Sequence, residues 1–278
     1  MVKGIEIFKS HFADWSDCYV LIGGSACDIN FSVAALPFRV THDLDVVLCV
    51  EALTPRYFNH FWEFIRNGGY EHREKSDGEK QFYRFTHPSE PGYPEMIELF
   101  ARKIDILPLE TLGHLTPIPA GEEASSLSGI LLNDLYYDFV MANRIEIEGV
   151  QVVTPVGLMV LKAIAWLDLT KKKAEGDIHA YSKDISKHKN DIARLSVLTA
   201  GVEPSVPDGI RTVMTEFMSL YQQEAIDTTA LRLPIGEKDV KEEIHRIEGL
   251  MAYAEAHELW EQLEELKTRL KAVIDRMP

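Results

Sequence analysis

The chain has 278 residues, of which 46% are hydrophobic and 26% are charged, a composition that excludes a disordered chain and allows a sizeable core. A formal net charge of −15 argues against broad, non-specific binding of nucleic acids and against DNA-specific binding. No apolar run reaches the length of a membrane span. The N-terminus lacks the apolar core of a signal peptide and the three cysteines lack metal-site spacing, so we expect buried free thiols and a cytoplasmic protein.

The first predicted elements are an amphipathic helix and two strands. Apolar residues at helical spacing predict the helix over residues 3–17, and apolar runs predict the strands over 18–23 and 43–50. A helix-like stretch over 26–36 separates the two strands. The first strand ends in Gly23-Gly24-Ser25, whose backbone N–H groups are accessible to a phosphate because no bulky side chain blocks a close approach.

The second strand carries two aspartates, Asp43 and Asp45, with an apolar residue between them. Residues i and i+2 of a strand point to the same face, so the two carboxylates lie together while Leu44 faces the core. Two adjacent carboxylates repel each other, and a hard cation such as Mg²⁺ relieves that repulsion and binds phosphate oxygens. The pattern therefore predicts a metal-assisted phosphate site, although an Asp-x-Asp pair alone is also common on solvated strands.

The following segments predict further helices and hairpins. Thr54 is the expected N-cap of a helix that runs from Pro55 to Arg66 and ends at Gly68-Gly69. The other predicted elements are a hairpin of strands 81–85 and 96–100, a helix or strand over 130–140, a strand pair over 145–153 around Gly149, and helices from Pro155 onward, including 209–223 and 237–276.

Glu98 is the candidate for a third carboxylate. It is flanked by Ile97 and Leu99 within a strand, and a charged residue in that setting is rarely buried unless it binds something. A surface glutamate on an edge strand is the alternative, and Asp105 is a competing third carboxylate. We prefer Glu98 because its strand is longer and is expected to pair beside Asp45. In that position it is a candidate base for an attacking hydroxyl.

Lys162 is the only charged residue between Val156 and Leu167, in a helix that is apolar nearly all round. Its ammonium group must pair with an acid, bind a ligand such as a triphosphate, or reach the surface along its apolar stem. The next helix contains Lys187, Lys189 and Asp191, which line a cleft in one interpretation and form intrahelical pairs on a solvated face in the other. Residues 162–194 contain eight lysines and arginines against five acids, a local positive excess that favours an anionic ligand.

These motifs, taken in order, carry a family resemblance. The strand, Gly23-Gly24-Ser25, the helix-like stretch and then Arg39-x-Thr41-x-Asp43-x-Asp45 resemble the nucleotidyltransferase superfamily of DNA polymerase β. More narrowly the chain is similar to the AbiEii-like nucleotidyltransferases, the toxins of type IV toxin–antitoxin systems. Lys162 matches the lysine that this family carries in an apolar helix. The stretch Lys187 to Ile192 matches its later motif, with His188 where the family usually has aspartate.

The resemblance implies a fold, a reaction and a site. The expected fold is α/β, with a mixed-sheet nucleotidyltransferase core over residues 1–153 and a helical C-terminal domain over 154–278. The expected reaction moves NMP from an NTP to RNA such as tRNA, or to a protein hydroxyl, and a cognate antitoxin is a possible partner. Two Mg²⁺ ions would be held by Asp43, Asp45 and Glu98, and Asp191 would support Lys162. The nucleotide would be bound by Gly23, Gly24, Ser25, Arg39, Thr41, Lys162 and Lys187.

Two other functions fit the same residues. A catalytically silent protein of this fold would be a binding or antitoxin-type protein that transfers nothing, and failure to bind Mg²⁺–NTP would favour it over the enzyme. A nucleotidyltransferase that acts on an antibiotic such as an aminoglycoside would suit the acidic chain, because such a drug is cationic. The later motif from Lys187 to Asp191 favours the toxin-type enzyme over the antibiotic-modifying one.

Overall fold

The computed structural model describes residues 3–72, 83–101, 133–177, 180–199 and 206–221, together with residues 264, 267, 268 and 271. The chain divides into two compact units, Met1–Asp227 and Thr228–Pro278, so the predicted boundary after residue 153 lies inside the first unit. The predicted helix 237–276 and Asp105 lie outside the described residues, apart from the four single positions. None of the described helices combines the length and the apolar character that a membrane crossing requires.

The first unit contains seven α-helices and seven strands within the described ranges. The helices are α1 (Ile5–His11), α2 (Gly23–Val33), α3 (Pro55–Gly68), α4 (Asp134–Ala142), α5 (Pro155–Ala174), α6 (Ser182–Thr199) and α7 (Asp208–Tyr221). The strands are β1 (Tyr19–Ile22), β2 (Asp43–Leu48), β3 (Glu71–His72), β4 (Tyr83–Thr86), β5 (Met96–Phe100), β6 (Arg144–Ile147) and β7 (Val150–Val153). A short 3₁₀ helix, Ala13–Cys18, follows α1.

All seven strands belong to one mixed sheet in the order β3-β4-β5-β2-β1-β7-β6. Strand β2 is antiparallel to β1 and parallel to β5, and β1 is parallel to β7. The hairpins β4–β5 and β6–β7 are antiparallel, as their sequences predicted. The α/β class with a mixed sheet is confirmed, and β2, which carries the two aspartates, lies in the middle of the sheet.

The core is built from the central strands and from an aromatic cluster under α1 and α3. All four residues of β1 are buried, because the strand has neighbours on both edges and helices against it. The rings of Phe8 and Tyr19 meet edge to face at 5.1 Å, and Phe8 meets Phe64 of α3 in the same way at 5.7 Å. The three cysteines, Cys18, Cys27 and Cys49, are free and buried, as predicted.

Two helix boundaries differ from the sequence predictions and one agrees. The single helix expected over 3–17 is broken, since α1 ends at His11 and Trp15 has non-helical dihedrals inside the 3₁₀ segment. The helix expected over 26–36 begins three residues earlier, at Gly23, and ends at Val33. Helix α3 begins at Pro55 as predicted, where the Thr54 hydroxyl accepts a hydrogen bond from the Tyr57 N–H at 3.2 Å, and it runs past the predicted Arg66 to Gly68, where Gly69 ends it with a φ of 60°.

Helix α5 connects the sheet to the helical layer. It starts directly after β7, where the Thr154 hydroxyl caps the Gly157 N–H at 3.2 Å. The helix packs against α2 on one side and against α6 and α7 on the other, which explains why its residues from Leu158 to Leu167 are almost entirely buried. This packing brings the second half of the chain next to the aspartates of β2.

Candidate active site

A row of side chains crosses four strands of the sheet at one level. Asp45 of β2 pairs directly with Ile22 of β1 and with Glu98 of β5, and Glu98 pairs in turn with Arg84 of β4. Directly paired residues point to the same face of a sheet, so the three charged side chains are immediate neighbours. Asp43 lies two residues before Asp45 and therefore shares that face. The structure thus places Glu98 beside Asp45, in the relation that the strand pattern predicted.

Asp45 has a strongly raised pKa. Burial is the largest cause and the nearby charges of Glu98 and Asp43 add to it, so that against the opposite effect of Lys162 and Lys187 the pKa lies at about 7. The ionised carboxylate therefore lacks the solvation and the positive charge that would stabilise it fully. A bound cation would supply that charge at Asp45; within the described residues, the carboxylate oxygens of Asp43, Asp45 and Glu98 do not all lie within 4.8 Å of one another.

Gly23, Gly24 and Ser25 form the first turn of α2 rather than a free loop. Gly23 has a φ of 66°, and a Cβ at this position would run into the carboxylate of Asp45, so only glycine fits between the helix and the strand. The N-cap residue Ile22 makes no side-chain hydrogen bond to the helix, and among the described residues no other side chain caps its first turn, whose N–H groups are the type of donor that binds anions. The Ser25 hydroxyl is buried and donates to the Ile22 carbonyl oxygen at 3.1 Å.

The segment between α2 and β2 brings Arg39 and Thr41 to the start of the helix. A Cβ on Gly24 would lie 2.6 Å from the Thr41 hydroxyl and 3.3 Å from a guanidinium nitrogen of Arg39, so both side chains abut this glycine. Arg39 also donates two hydrogen bonds of 2.9 Å, one to each carboxylate oxygen of Asp191 in α6. Arg39 therefore connects the glycine-rich turn to the helical layer across 152 residues of sequence.

Asp191 is a buried carboxylate that contacts three cations, of which Lys162 is buried and Arg39 and Arg194 are partly exposed. Its side chain is completely buried and lies 3.0 Å from the ammonium of Lys162, 2.9 Å from Arg39 and 3.2 Å from Arg194. Burial by itself would raise the pKa of Asp191, but Lys162 and Arg39 hold it well below its ordinary range. Burial would likewise lower the pKa of Lys162, and attraction to Asp191 outweighs that and raises it. All four groups are charged, so the cluster carries a net positive charge.

This cluster decides between the alternatives for Lys162 and Asp191. The interpretation of Lys162 as a residue that reaches the surface is wrong, because the lysine is 4% exposed and paired with an acid. The solvated-face interpretation of Asp191 is also wrong, since α6 turns this residue into its contact with α5. The expected intrahelical pair between Asp191 and Arg194 does form, inside this cluster.

Two more α6 residues lie near the acidic row. Lys187 is exposed, and its charge is close enough to lower the pKa of Asp45. Burial and the neighbouring Lys162 lower the pKa of His188 to about 3, so its imidazole is neutral at physiological pH. Within the described ranges, the Nδ1 atom of His188 has no hydrogen-bond partner. A neutral imidazole thus lies beside the cationic cluster.

The structure brings together most residues that the sequence singled out, and it adds one. The charges of Glu98, Lys162, Asp43 and Lys187 all act on Asp45, and Arg39 joins Gly24 to Asp191. Arg84 was missed. Its Nε donates to Oε1 of Glu98 at 2.6 Å, and its Nη2 contacts the same oxygen. The alternation of Gln81 to Phe85 contained the signal, because pairing that strand with the one containing Glu98 in register brings Arg84 opposite the glutamate.

Comparisons with known proteins give distant structural neighbours. No protein-family model and no curated protein sequence matches the chain. Among solved structures the chain is similar to an antigenic nucleotidyltransferase-like protein from Paracoccidioides brasiliensis, with 15% identity, a TM-score of 0.42, and coverage of 82% of this chain and 89% of that one. It is also similar to the Megavirus polyadenylate synthase, with 14% identity, a TM-score of 0.30, and coverage of 88% of this chain and 36% of that one.

Proposed function

We propose that this protein is a metal-dependent nucleotidyltransferase that moves an NMP group from an NTP to a hydroxyl of an acceptor. The observation that carries the proposal is the meeting of two opposite charge sets at the start of α2. Carboxylates of Asp43, Asp45 and Glu98 lie on one face of the sheet, and a net positive cluster around Asp191 lies against the same helix turn. A nucleoside triphosphate with its divalent cation needs both sets.

The positive side of the site binds the triphosphate. Backbone N–H groups of Gly24 and Ser25 point out of the helix end and donate to phosphate oxygens. Arg39 lies beside Gly24 and supplies charge, with Lys162 held behind it by Asp191 and Lys187 at the exposed edge. Thr41 packs against the same glycine and supports the turn. These groups favour the charge that develops on the phosphates during transfer, because they are fixed before the substrate arrives.

The acidic side of the site holds the cation and activates the acceptor. Asp43, Asp45 and Glu98 supply oxygen ligands, the type that Mg²⁺ prefers, and their crowding matches the raised pKa of Asp45. When bound, Mg²⁺ (about two ions in this class of chemistry) neutralises phosphate charge and lowers the barrier to displacement. Glu98 accepts the proton of the acceptor hydroxyl, whose oxygen bonds to the α-phosphorus while the bond to pyrophosphate breaks.

The acceptor and the biological role belong to the same proposal. The family resemblance of the four motifs favours a toxin-type enzyme that modifies RNA such as tRNA or a protein hydroxyl, with a cognate antitoxin as partner. The positive cluster along α5 and α6 supports a polyanionic acceptor, since Arg39, Lys162, Arg194 and Lys187 lie on one side of the site. An RNA 3′ end offers a hydroxyl and phosphates together.

One observation favours a second candidate, a nucleotide-binding protein without transferase activity. Arg84 already neutralises Glu98, and a glutamate tied up in an ion pair is a weaker metal ligand and a weaker base. The Gly23 turn and the Asp191 cluster would still bind a triphosphate in that case. The two candidates differ only in turnover, so one assay separates them.

The experiment is a transfer assay with each of the four NTPs labelled at the α-phosphate. The protein is incubated with Mg²⁺ and one NTP, first with total RNA and then with cell lysate protein, and label in macromolecules and released pyrophosphate are measured. The proposal expects transfer by the wild type and loss of transfer in Asp45→Asn. The matched control is Asp208→Asn, which removes a fully exposed acid at the start of α7. Nucleotide binding without any label transfer would favour the binding protein.

A further inference from the structure

We propose that His11 of α1, together with His60 and Glu63 of α3, binds a zinc ion at a site separate from the candidate active site. One ligand atom of each residue, a ring nitrogen or a carboxylate oxygen, lies within 4.8 Å of the ligand atoms of the other two. Among the described residues, no other group of histidines, cysteines and carboxylates has this spacing. Two imidazoles and one carboxylate form a ligand set that zinc accepts in proteins, with bonds of about 2.0–2.2 Å.

Hydrogen bonds from the ring Nε2 atoms hold both histidines in the same tautomer. Nε2 of His11 donates to the carbonyl oxygen of His60 at 3.0 Å, and Nε2 of His60 donates to the carbonyl oxygen of His11 at 2.6 Å. A carbonyl oxygen only accepts, so in each neutral ring Nε2 carries the hydrogen and Nδ1 keeps the lone pair that a metal requires. Metal-binding histidines usually fix their second ring nitrogen in this way, by donating it to a carbonyl or a carboxylate.

Glu63 supplies negative charge beside the two rings. Its Oε2 lies 3.6 Å from Nδ1 of His60, which precedes it by three residues on the same face of α3. The side chain of Glu63 is 56% exposed and that of His60 is 26% exposed, so an ion can enter from solvent. The rings of His11 and His60 are stacked, with centroids 3.9 Å apart and planes 10° from parallel. Because the lone pair of an imidazole lies in the ring plane, one ring tilts when both share an ion.

The zinc site lies on the side of the sheet opposite the carboxylates of β2 and β5. Ile22 of β1 pairs with Asp45 and shares its face, whereas Tyr19, three residues earlier, points to the other face. The ring of Tyr19 meets that of Phe12 at 6.1 Å, and Phe12 in turn meets the two histidine rings at 4.9 and 5.6 Å. The inference therefore concerns a second site and does not depend on the proposed function.

The two histidines also line a groove of about 580 Å³, together with Glu6, Ile7 and Ser10 of α1. Three protein ligands leave the fourth position of a tetrahedral zinc ion to water or to a ligand in this groove. The ion also joins α1 to α3, since its two histidines are 49 residues apart in the sequence. It therefore stabilises the folded chain, because the complete ligand set exists only in the folded state.

The test titrates Co²⁺ into the full-length protein without nucleotide and then displaces it with Zn²⁺. Cobalt takes the ligands of zinc, and its visible absorption reports tetrahedral coordination. Loss of an outer-shell partner alone costs about 10–100-fold in metal affinity, so loss of a ligand in Glu63→Gln should cost roughly 100-fold or more. Glu6→Gln removes an exposed acid of the same groove and is the matched control, which should bind as the wild type does.

A second readout locates the ion. The ring of Trp15 lies 5.7 Å from that of His60, so bound Co²⁺ should quench the fluorescence of Trp15, and Trp15→Phe should remove most of the quenching without changing the affinity. His60→Gln, whose amide N–H can replace the Nε2 donor, provides a second ligand variant. Zn²⁺ should raise the melting temperature of the wild type and of Glu6→Gln, and much less that of Glu63→Gln.

The outcomes decide the zinc site independently of the nucleotide site. Co²⁺ binding that is weakened in both Glu63→Gln and His60→Gln, and is unchanged in the double variant Asp43→Asn, Asp45→Asn, supports the proposal. Wild-type affinity in Glu63→Gln and His60→Gln, or binding that is lost only in the double variant, overturns it. A wild type that shows neither tetrahedral Co²⁺ absorption nor a thermal shift with Zn²⁺ also overturns it, and the two histidines then form only a contact between helices.

Discussion

Lys162 and Asp191 form a buried ion pair, with the lysine Nζ 3.0 Å from Oδ2 of the aspartate. The two residues belong to different helices, α5 and α6, and neither side chain is more than 5% exposed. The pair is not isolated, because Arg39 and Arg194 bind the same carboxylate. One carboxylate thus contacts three cations, so the loss of Asp191 and the loss of Lys162 should lower the stability of the protein by different amounts.

The first prediction compares Asp191→Asn with Lys162→Met. Removing Asp191 leaves the buried ammonium of Lys162 without the carboxylate that it contacts and takes away the acid that Arg39 binds through two hydrogen bonds, so we expect a loss of about 3–5 kcal/mol in the free energy of unfolding. Removing Lys162 leaves Asp191 with Arg39 on both oxygens and with Arg194, so the loss should be about 1–2 kcal/mol. An isolated lysine in an apolar helix would instead have destabilised the protein, and its removal would have raised stability. Urea unfolding of both variants without ligand is the measurement.

The same pair of variants also tests ligand binding. Lys162→Met should weaken NTP binding about tenfold or more if the lysine supports the triphosphate, because a charged contact is worth about 1.5–3 kcal/mol. Equal losses of stability in Asp191→Asn and Lys162→Met would contradict the expectation that the loss of the aspartate costs more than the loss of the lysine. An unchanged thermal shift with Mg²⁺–NTP in Lys162→Met would restrict the lysine to a structural role.

The second prediction concerns Gly23. Its φ of 66° strains any other residue, and a Cβ would collide with Asp45, so Gly23→Ala should cost about 2–4 kcal/mol and disturb the carboxylate. Gly176→Ala is a matched control, because Gly176 has a φ of 88° and nothing within 4 Å of the added carbon. That variant should lose only the backbone contribution, about 1 kcal/mol. Similar losses of unfolding free energy in Gly23→Ala and Gly176→Ala, measured by chemical denaturation, would show that the contact with Asp45 does not contribute to the cost of the substitution.

The third prediction is a pH dependence that comes from His188. Its pKa in the folded protein is about 3, below the ordinary value of 6.5, because the neutral ring is buried beside Lys162. A base whose pKa is lower in the folded protein than in the unfolded chain contributes stability at pH values above the unfolded pKa. That stability is lost as the pH falls below the unfolded pKa. Between pH 7.5 and 5.5 the wild type should therefore lose about 1 kcal/mol more than His188→Gln. His87→Asn, at an exposed position, should lose as much as the wild type in thermal unfolding across this range.

Individual residues show how much of the fold and of the candidate site the sequence predicts. Alternation and glycine positions predicted the hairpins and the neighbourhood of Asp45 and Glu98, because strand pairing follows local pattern and chain order. The start of α2 was misplaced, because glycines are poor helix formers and are expected in a turn. The positive φ and the closeness of Asp45, both of which come from tertiary structure, make Gly23 necessary there.

The cationic cluster marks the limit of prediction. Helical periodicity indicates that Lys162 and Asp191 are unusual for their surroundings, but it does not say which side chains of other elements they meet. Arg39 reaches Asp191 from 152 positions away, and the register of a sheet and the packing of two helices decide that contact. Such pairings depend on tertiary structure, and a single sequence does not encode them in any local pattern.

The fourth prediction separates Glu98 from Asp105. Glu98→Gln keeps the shape and still accepts a hydrogen bond from Arg84, so the fold should hold while transfer falls about 100-fold or more. Asp105→Asn should leave the rate nearly unchanged, because the structure gives Glu98 the position beside Asp45. Rates from the labelled-NTP assay and melting temperatures of both variants are required. The reverse pattern would mean that the third carboxylate has been assigned to the wrong residue.

The most direct measurement of the central claim is calorimetry of NTP binding with and without Mg²⁺, on the wild type and on the double variant Asp43→Asn, Asp45→Asn. The claim is that the carboxylates of β2 and the positive cluster around Asp191 bind one metal–nucleotide complex between them. We predict that Mg²⁺ tightens NTP binding in the wild type and has no effect on affinity in the double variant, which still binds the triphosphate weakly through its cations. Equal NTP affinity in both proteins, with and without Mg²⁺, would contradict the account.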